Sequence, residues 1–311
     1  MKYRRITSRS EEWVSELNEM PVETPTTLYV MGRPLPRKEK AIGVVGTRYP
    51  TAAGVEAAKD ISRGLAEADF AVVSGLALGV DNEAHRAALM AGGHTVAVLG
   101  AGLDFDYPRK NVRVRREIEE KGTVVTEYPL GTDPRPYHFP ARNRIIAGLC
   151  AGVVVIEGNE KSGALITARF AFEANRSVWA IPGSRRNQKA VGPNALIRTN
   201  TAKLITEVRH IFEDVAPSLV WLDKQVIKGG PPLEDSERTL LSVLIDEPTS
   251  IDEIVDRTSL SIGAAGLTLS RLEVRGLVDR TPLGYVITTA GARARAESPD
   301  GSGKDKEVLF E

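Results

Sequence analysis

The chain has 311 residues, of which 42% are hydrophobic, and its 41 basic side chains balance 41 acidic ones. This length allows a substantial buried core and about two domains. The single cysteine excludes an intrachain disulfide and a cysteine-rich zinc site, and the four histidines lack metal-ligand spacing. We therefore expect no metal and no cofactor.

The distribution of charged and apolar residues indicates which region could bind a polyanion and whether the chain has a membrane segment. Residues 1–233 carry 32 Lys and Arg against 26 Asp and Glu, whereas residues 234–290 carry 5 against 10. A polyanionic ligand is therefore expected to bind the first of these regions. The longest apolar runs have the length of a strand and residues 1–10 are polar, so we expect a cytoplasmic protein without a membrane segment.

Short apolar and β-branched segments alternate with helical segments through most of the chain. Strand-length segments occur at 42–45, 71–74, 95–99, 123–126, 152–156 and 177–181, and the apolar periodicity predicts helices at 51–68, 81–91, 112–121, 141–150 and 164–174. Strands that alternate with helices of this length pair in parallel through crossovers. The pattern predicts an α/β fold, a doubly wound (Rossmann-like) parallel sheet of about six or seven strands.

The other segments indicate how the chain divides into domains. Residues 1–40 are an N-terminal extension, whose Trp13, Leu17 and residues 28–31 should pack on the sheet edge, and residues 41–227 form the α/β domain. Residues 228–235 begin with Lys-Gly-Gly-Pro-Pro and predict a linker. Within 236–290, three helices (236–245, 250–258, 261–275) and a hairpin (277–280, 283–288) predict a small winged-helix domain. The polar tail, 291–311, is expected to be disordered.

The sequence FPARNRIIAG, residues 139–148, places an aromatic ring, two guanidinium groups and an amide at a predicted loop-to-helix junction. Arg142 and Arg144 can pair with phosphates, and Phe139 offers a base a surface for stacking. The alternative is a surface loop in which the arginines serve solubility and Phe139 fills a gap in the core. This segment alone leaves both interpretations open.

Further polar residues follow the predicted strands, at the sheet edge where parallel α/β folds bind ligands. Arg48 follows the first strand, Ser74 and Gly75 end the second, and Ser162 and Gly163 follow the fifth. A Ser-Gly pair at a helix start can hold a phosphate, although it also makes an ordinary helix cap. Several such residues at one edge favour a phosphate-binding site.

Motifs for dinucleotide binding and for ATP hydrolysis are missing. Phe105 stands where the third glycine of Gly-x-Gly-x-x-Gly would fall, and no Gly-x-x-x-x-Gly-Lys-Ser/Thr occurs. We interpret Cys150, which ends an apolar stretch, as a packed thiol. Glu157 and Glu173 would form an acid–base pair only in a nucleotide hydrolase.

Eight motifs carry a resemblance to a known family. They read IGVVGTR (42–48), SGLALGVD (74–81), AHRAAL (84–89), TVAVLGAGLDFDYP (95–108), TEYP (126–129), FPARNRIIAG (139–148), SGALITA (162–168) and VWAIPG (178–183). In this order and spacing the chain resembles the DNA-processing protein A family, DprA or Smf, over about residues 25–210. The last region resembles the winged-helix domain that many members carry.

The resemblance implies a protein without enzymatic activity that binds incoming single-stranded DNA in natural transformation, protects it and loads the RecA recombinase. It also implies a homodimer. The DNA-binding residues that it carries over are Arg48, Ser74, Gly75, Phe139, Arg142, Asn143, Arg144, Ser162, Gly163 and Thr167. Leu78 stands where the family usually has arginine, so one phosphate contact is expected to be missing.

Two alternatives stay open. Lonely-guy-type enzymes, which cleave the base from nucleoside monophosphates, are similar in sheet topology, but their Pro-Gly-Gly-x-Gly-Thr signature is absent and SGALITA occupies its place. A regulator whose winged helix reads duplex DNA is disfavoured by the acidic balance of residues 234–290. We expect this winged helix not to bind DNA, because Arg271 and Arg275 are the only cations of its predicted recognition helix.

Overall fold

The computed structural model describes residues 2–217, 233–245, 247–281 and 283–296. The chain divides into two compact units, residues 1–220 and 221–311. Residues 228–232 of the predicted linker and residues 297–311 of the predicted tail lie outside the described residues.

The first unit is built on a nine-stranded sheet. Its strands are β1 (Arg4–Thr7), β2 (Thr27–Gly32), β3 (Ala41–Val45), β4 (Ala71–Ser74), β5 (Thr95–Val98), β6 (Thr123–Thr126), β7 (Gly152–Val155), β8 (Ser177–Ala180) and β9 (Lys203–Leu204). They lie in the order β1-β2-β6-β5-β4-β3-β7-β8-β9, and every neighbour from β6 to β9 pairs in parallel. The predicted doubly wound parallel sheet is confirmed, and the six predicted strands correspond to β3–β8.

Helices cover both faces of this sheet. They are α1 (Ala52–Glu67), α2 (Val80–Met90), α3 (Val112–Lys121), α4 (His138–Gly148), α5 (Gly163–Glu173), α6 (Val191–Arg198) and α7 (Arg209–Val215). One face packs on α4 and α5 through residues such as Ile145 and Ala168, and the other packs on α1 and α2 through Ile61 and Ala84. Burial on both sides explains why these strands read as continuous apolar runs.

Two hydroxyl side chains fix where α1 and α5 begin. Thr51 Oγ1 accepts a hydrogen bond from the Gly54 N–H at 3.1 Å, and Ser162 Oγ accepts one from the Ala164 N–H at 3.4 Å. Each side chain satisfies one of the N–H groups that the first turn of a helix leaves without a partner. The residues before α1 and α5 lie at the carboxyl ends of β3 and β7, because each helix follows that strand in the chain.

The strand order reverses at one point in the sheet. The chain runs outward from the central β3 through β4 and β5 to β6, and α4 then leads back to β7 on the other side of β3. The loops after β3 and β7 consequently diverge and leave a crevice between them. In doubly wound sheets this switch point is where ligands bind.

The N-terminal extension completes the sheet edge. β1 pairs with β2, and β2 pairs with β6, both in antiparallel orientation. Leu17 is fully buried in the same core as α4, and Trp13 packs against that core. Residues 28–31, expected to pack on the edge, instead form most of β2 and hydrogen-bond into the sheet.

The described residues of the second unit include the three predicted helices and the hairpin, and the predicted winged helix is confirmed. These elements are α8 (Asp235–Val243), α9 (Ile251–Thr258), α10 (Ile262–Val274), β10 (Val278–Thr281) and β11 (Gly284–Ile287). Ser250 caps α9 and forms a capping box with Glu253, and Ser261 caps α10. Leu240, Ile254 and Leu269 are buried in its core.

The expectation of disorder from residue 291 onward is wrong for residues 291–296. They belong to a further helix, α11 (Thr289–Ala296), in which the Gly291 N–H donates to Thr288 Oγ1 at 3.0 Å. The Arg295 guanidinium donates to the Leu244 carbonyl at 2.8 Å, just beyond the last turn of α8. Alanine and arginine favour helix, and this contact gives the helix a tertiary partner that composition does not reveal.

Candidate nucleic-acid interface

A cleft of about 520 Å³ opens at the carboxyl ends of β3 and β7, at the switch point. Three segments form its walls: the loop after β3, the first turns of α4, and the loop that leads into α5. It brings together seven of the predicted DNA-binding residues, Arg48, Phe139, Arg142, Asn143, Ser162, Gly163 and Thr167. The topology therefore gathers segments that are more than 100 residues apart in the chain.

Gly75 lies in a smaller cleft, of about 90 Å³, that adjoins the first. The two clefts share Arg48, Phe139 and Arg142 in their linings. Leu78 also lines the smaller cleft, so the departure from the family pattern falls within the candidate interface.

Ser74 and Arg144 line neither cleft. The Ser74 hydroxyl is buried and donates to the Val44 carbonyl at 2.6 Å, so it joins β4 to β3 and is not offered to a ligand. Arg144 donates to both carboxylate oxygens of Glu127, at 2.6 and 2.7 Å, and to the Glu23 carbonyl at 2.7 Å. Its charge is already paired, and we leave both residues out of the interface.

Arg142 forms part of the cleft floor as a buried cation. Its side chain is 5% exposed, donates to the Val98 carbonyl at the end of β5, and donates to Asn143 Oδ1 at 3.0 Å. Burial lowers the pKa of Arg142 to about 10, against the opposing effect of Asp81. The guanidinium therefore stays charged at neutral pH and contributes positive potential from beneath the cleft.

Asp81 and Gly75 support this buried charge. Asp81 Oδ2 accepts the N–H groups of Gly75 at 3.1 Å and Ala77 at 3.3 Å. Burial raises the pKa of Asp81, whereas the nearby Arg142 lowers it. A β-carbon on Gly75 would overlap the Arg142 guanidinium, so only glycine leaves room for it.

Two exposed cations stand at the cleft, Arg48 after β3 and Lys161 before α5. Neither has an ion-pair partner within the part of the chain that the structure describes. Both are therefore free to neutralise phosphates. Sequence reasoning missed Lys161, although its place immediately before the Ser162 cap was a usable signal.

Aromatic rings line the same cleft. Phe139, in the first turn of α4, is half-buried, and its ring centroid lies 5.2 Å from that of Tyr107. Tyr107 is 41% exposed and Tyr49 is 72% exposed. A β-carbon on Gly100 would lie 2.9 Å from the Phe139 ring, so a glycine is needed here to seat the ring. These rings offer apolar faces to a base, and the sequence did not single out either tyrosine.

Asn143 joins α4 to the start of α5. Asn143 Nδ2 donates to the Gly163 carbonyl at 3.1 Å, and Thr167 Oγ1, one turn along α5, donates to the same carbonyl at 3.4 Å. The Asn143 bond holds the first turn of α5 against α4, with Ser162 and Gly163 on the cleft wall. The positive end of the helix dipole therefore faces the cleft, which favours an anion.

The described residues include no group of three or more His, Cys, Asp or Glu side chains that could hold a metal ion. Cys150 is buried, and burial raises the pKa of its thiol. The thiol is therefore protonated at neutral pH. Within the same residues, no helix has both the length and the apolar character needed to cross a membrane.

Comparison with known proteins identifies the family of the chain. The family model described as DNA recombination-mediator protein A matches residues 4–216, and the model of the DprA winged helix domain matches residues 228–283. The chain belongs to the DNA recombination-mediator protein A family. This confirms the resemblance to DprA and Smf.

Individual relatives cover most of the chain. Protein Smf of Synechocystis is 39% identical over 292 residues, which span 83% of this chain and 73% of the relative. The X-ray structure of DNA processing protein A from Streptococcus pneumoniae is 38% identical, covers 69% of this chain and 75% of that one, and gives a TM-score of 0.64.

A third relative is the Helicobacter pylori DNA processing protein A, in a structure described as showing its single-stranded DNA binding mode. It is 26% identical, covers 70% of this chain and 97% of that one, and gives a TM-score of 0.63.

Proposed function

We propose that the cleft binds single-stranded DNA and that the protein acts as a recombination mediator without catalysing a reaction. The observation that carries this proposal is the meeting of two exposed cations, Arg48 and Lys161, with the rings of Tyr107 and Phe139 in one cleft at the switch point. Membership of the family makes a DNA-processing recombination mediator the expected class. The single-stranded DNA binding of the Helicobacter pylori relative supports the same ligand.

Each part of the cleft has a distinct task in this proposal. Arg48 and Lys161 contact backbone phosphates, while buried Arg142 and the start of α5 add fixed positive potential. Phe139 and Tyr107 stack on a base. Bases in a duplex are already stacked and paired, so their faces are closed to these rings, and the cleft should prefer a single strand.

The geometry gives little support to a nucleoside-monophosphate hydrolase. Glu157 lies just after β7, at the carboxyl edge of the sheet, whereas Glu173 is the last residue of α5, whose 11 residues lead about 16 Å back toward the other edge. The two carboxylates are therefore not placed to act on one bond. The Glu157 carboxylate also accepts three hydrogen bonds from Thr51 and Asn187, and Glu173 pairs with Arg169 at 3.7 Å.

Titration with matched single- and double-stranded oligonucleotides at several salt concentrations tests the proposal. We expect tighter binding to the single strand, an affinity that falls with salt, and no release of base from a nucleoside monophosphate assayed in parallel. Equal affinity for both forms, or turnover of the monophosphate, would contradict it.

We further propose that the protein protects the bound strand, delivers it to RecA and acts as a homodimer. The support is the family membership, since dimerisation and RecA delivery are what the resemblance implies. Light scattering over a range of micromolar concentrations tests the dimer, and a strictly monomeric mass would refute it.

The winged helix is expected to add nothing to single-strand affinity. Arg271, on α10, pairs with Glu234 at 2.9 Å, and Arg275, just after this helix, pairs with Glu237 at 2.6 Å, so both arginines are neutralised within the unit. Ending the chain after residue 232 should leave the affinity within about threefold, a difference below about 1 kcal/mol. A large loss in a truncated protein whose first unit is still folded would show that the winged helix binds DNA.

A further inference from the structure

The loop between β8 and α6, residues 181–190, emerges at the same sheet edge as the cleft, because β8 pairs in parallel with β7. It carries two adjacent exposed arginines, Arg185 and Arg186. Neither has an ion-pair partner among the residues that the structure describes. Two unpaired guanidinium groups therefore stand beside the cleft but outside its lining.

Hydrogen bonds hold this loop in a fixed form. The Asn194 side chain accepts from the Gly183 N–H at 3.1 Å and donates to the Gly183 carbonyl at 2.8 Å. Asn187 Oδ1 accepts from the Lys189 N–H at 2.9 Å. These bonds fix the backbone of the loop on both sides of Arg185 and Arg186.

The same loop is attached to the wall of the cleft. The Gly158 N–H donates to the Lys189 carbonyl at 2.6 Å, and the Gly192 N–H donates to the Gly158 carbonyl at 2.9 Å. Gly158 is followed in the chain by Asn159 and Lys161, which line the cleft. A single DNA strand that extends from the cleft past Lys161 would therefore reach this loop next.

One buried carboxylate connects three loops of the sheet edge. Glu157 is 6% exposed and accepts from the Thr51 N–H at 2.9 Å, from the Thr51 hydroxyl at 2.7 Å and from Asn187 Nδ2 at 2.9 Å. It thus ties the loop that bears Arg48 and the loop that bears Arg185 to its own. Cations held in place before binding lose less conformational freedom when a ligand arrives.

We propose that Arg185 and Arg186 form a second phosphate-binding subsite, held in line with the cleft by Glu157, for a single strand that continues beyond it. The subsite rests on the proposed function of the cleft. It recognises backbone phosphates without reading bases, because the described loop offers no aromatic ring between Gly183 and Lys189. Its ligand is a strand long enough to reach from the cleft to the loop.

The length of the DNA strand distinguishes binding at this subsite from binding at the cleft alone. The R185A/R186A variant is titrated with oligothymidylates of about 5 and about 20 nucleotides, since such sites cover roughly 4–16 nucleotides. For the long strand, the slope of log affinity against log salt should flatten by about 1.4, at about 0.7 per lost phosphate contact. For the short strand it should not change.

The matched control is R86A/R198A, which removes two exposed arginines that lie outside the cleft lining and have no ion-pair partner among the described residues. If R185A/R186A and this control give the same slope with the long strand, the subsite does not exist. If the wild-type protein binds neither strand, it is the proposed function of the cleft that fails.

Substituting Glu157 tests whether this residue positions the loops, because positioning and electrostatics predict opposite changes in DNA affinity. E157Q removes a negative charge near a polyanion site, so electrostatics alone predicts tighter binding. Positioning predicts weaker binding of the long strand, because one carboxylate oxygen becomes an NH₂ group that would face a donor, either the Thr51 N–H or Asn187 Nδ2. In E157Q/N187D the introduced amide can donate to the new carboxylate at the original net charge, and affinity should return. Tighter binding by E157Q, or no recovery in the double variant, would overturn the role of Glu157.

Discussion

Replacing Arg142 with alanine is expected to lower the free energy of unfolding by about 3–5 kcal/mol, the usual effect of removing one partner from a buried pair of charges. The change leaves Asp81 buried without its opposing charge and deprives the Val98 carbonyl of a donor. It also opens a void beside Gly75, which the guanidinium now fills. Arg142→Ala therefore weakens DNA binding mainly by disturbing the floor of the cleft.

Urea denaturation of Arg142→Ala measures this effect, and Arg48→Ala is the matched control. Arg48 is an exposed arginine on the same cleft, so its loss should change stability by no more than about 0.5 kcal/mol. If Arg142→Ala is as stable as the wild type, the buried guanidinium is not a structural element of the floor.

Replacing Phe139 with alanine is expected to reduce the free energy of single-strand binding by about 1–3 kcal/mol while stability stays close to that of the wild type. The ring is half-buried and stands beside exposed Tyr107 in the cleft lining, as a stacking surface requires. If the ring instead fills the core, the change costs about 3–5 kcal/mol of stability.

Phe139→Leu sharpens this distinction, because leucine keeps apolar volume but has no ring face. Stacking predicts that the leucine variant is as stable as the wild type and as weak in binding as the alanine variant. Recovery of DNA affinity in Phe139→Leu would show that volume, and not an aromatic face, is what the site needs.

The sequence predicted the framework of the first unit well, for a physical reason. Strands buried on both faces and helices with one apolar face produce different periodicities, so β3–β8 and α1–α5 begin and end within a few residues of the predicted bounds. The pairing of β1 and β2 with the far edge of the sheet depends on contacts distant in sequence. No local pattern encodes that pairing.

The site was predicted less completely because spacing along a chain does not say which way a side chain points. Arg142 and Arg144 are two positions apart on α4, which begins at His138 and therefore includes both. Residues at that spacing on a helix do not face each other. One arginine consequently enters the cleft floor, and the other pairs with Glu127.

The salt dependence of single-strand binding in the R48A/K161A variant tests the central claim most directly. Both side chains are exposed, unpaired among the described residues and part of the cleft lining, so removing them should leave the fold intact. We predict that the slope of log affinity against log salt flattens by about 1.4, at about 0.7 per lost contact. The R86A/R198A control should keep the wild-type slope. A wild-type slope in folded R48A/K161A would show that the strand binds elsewhere.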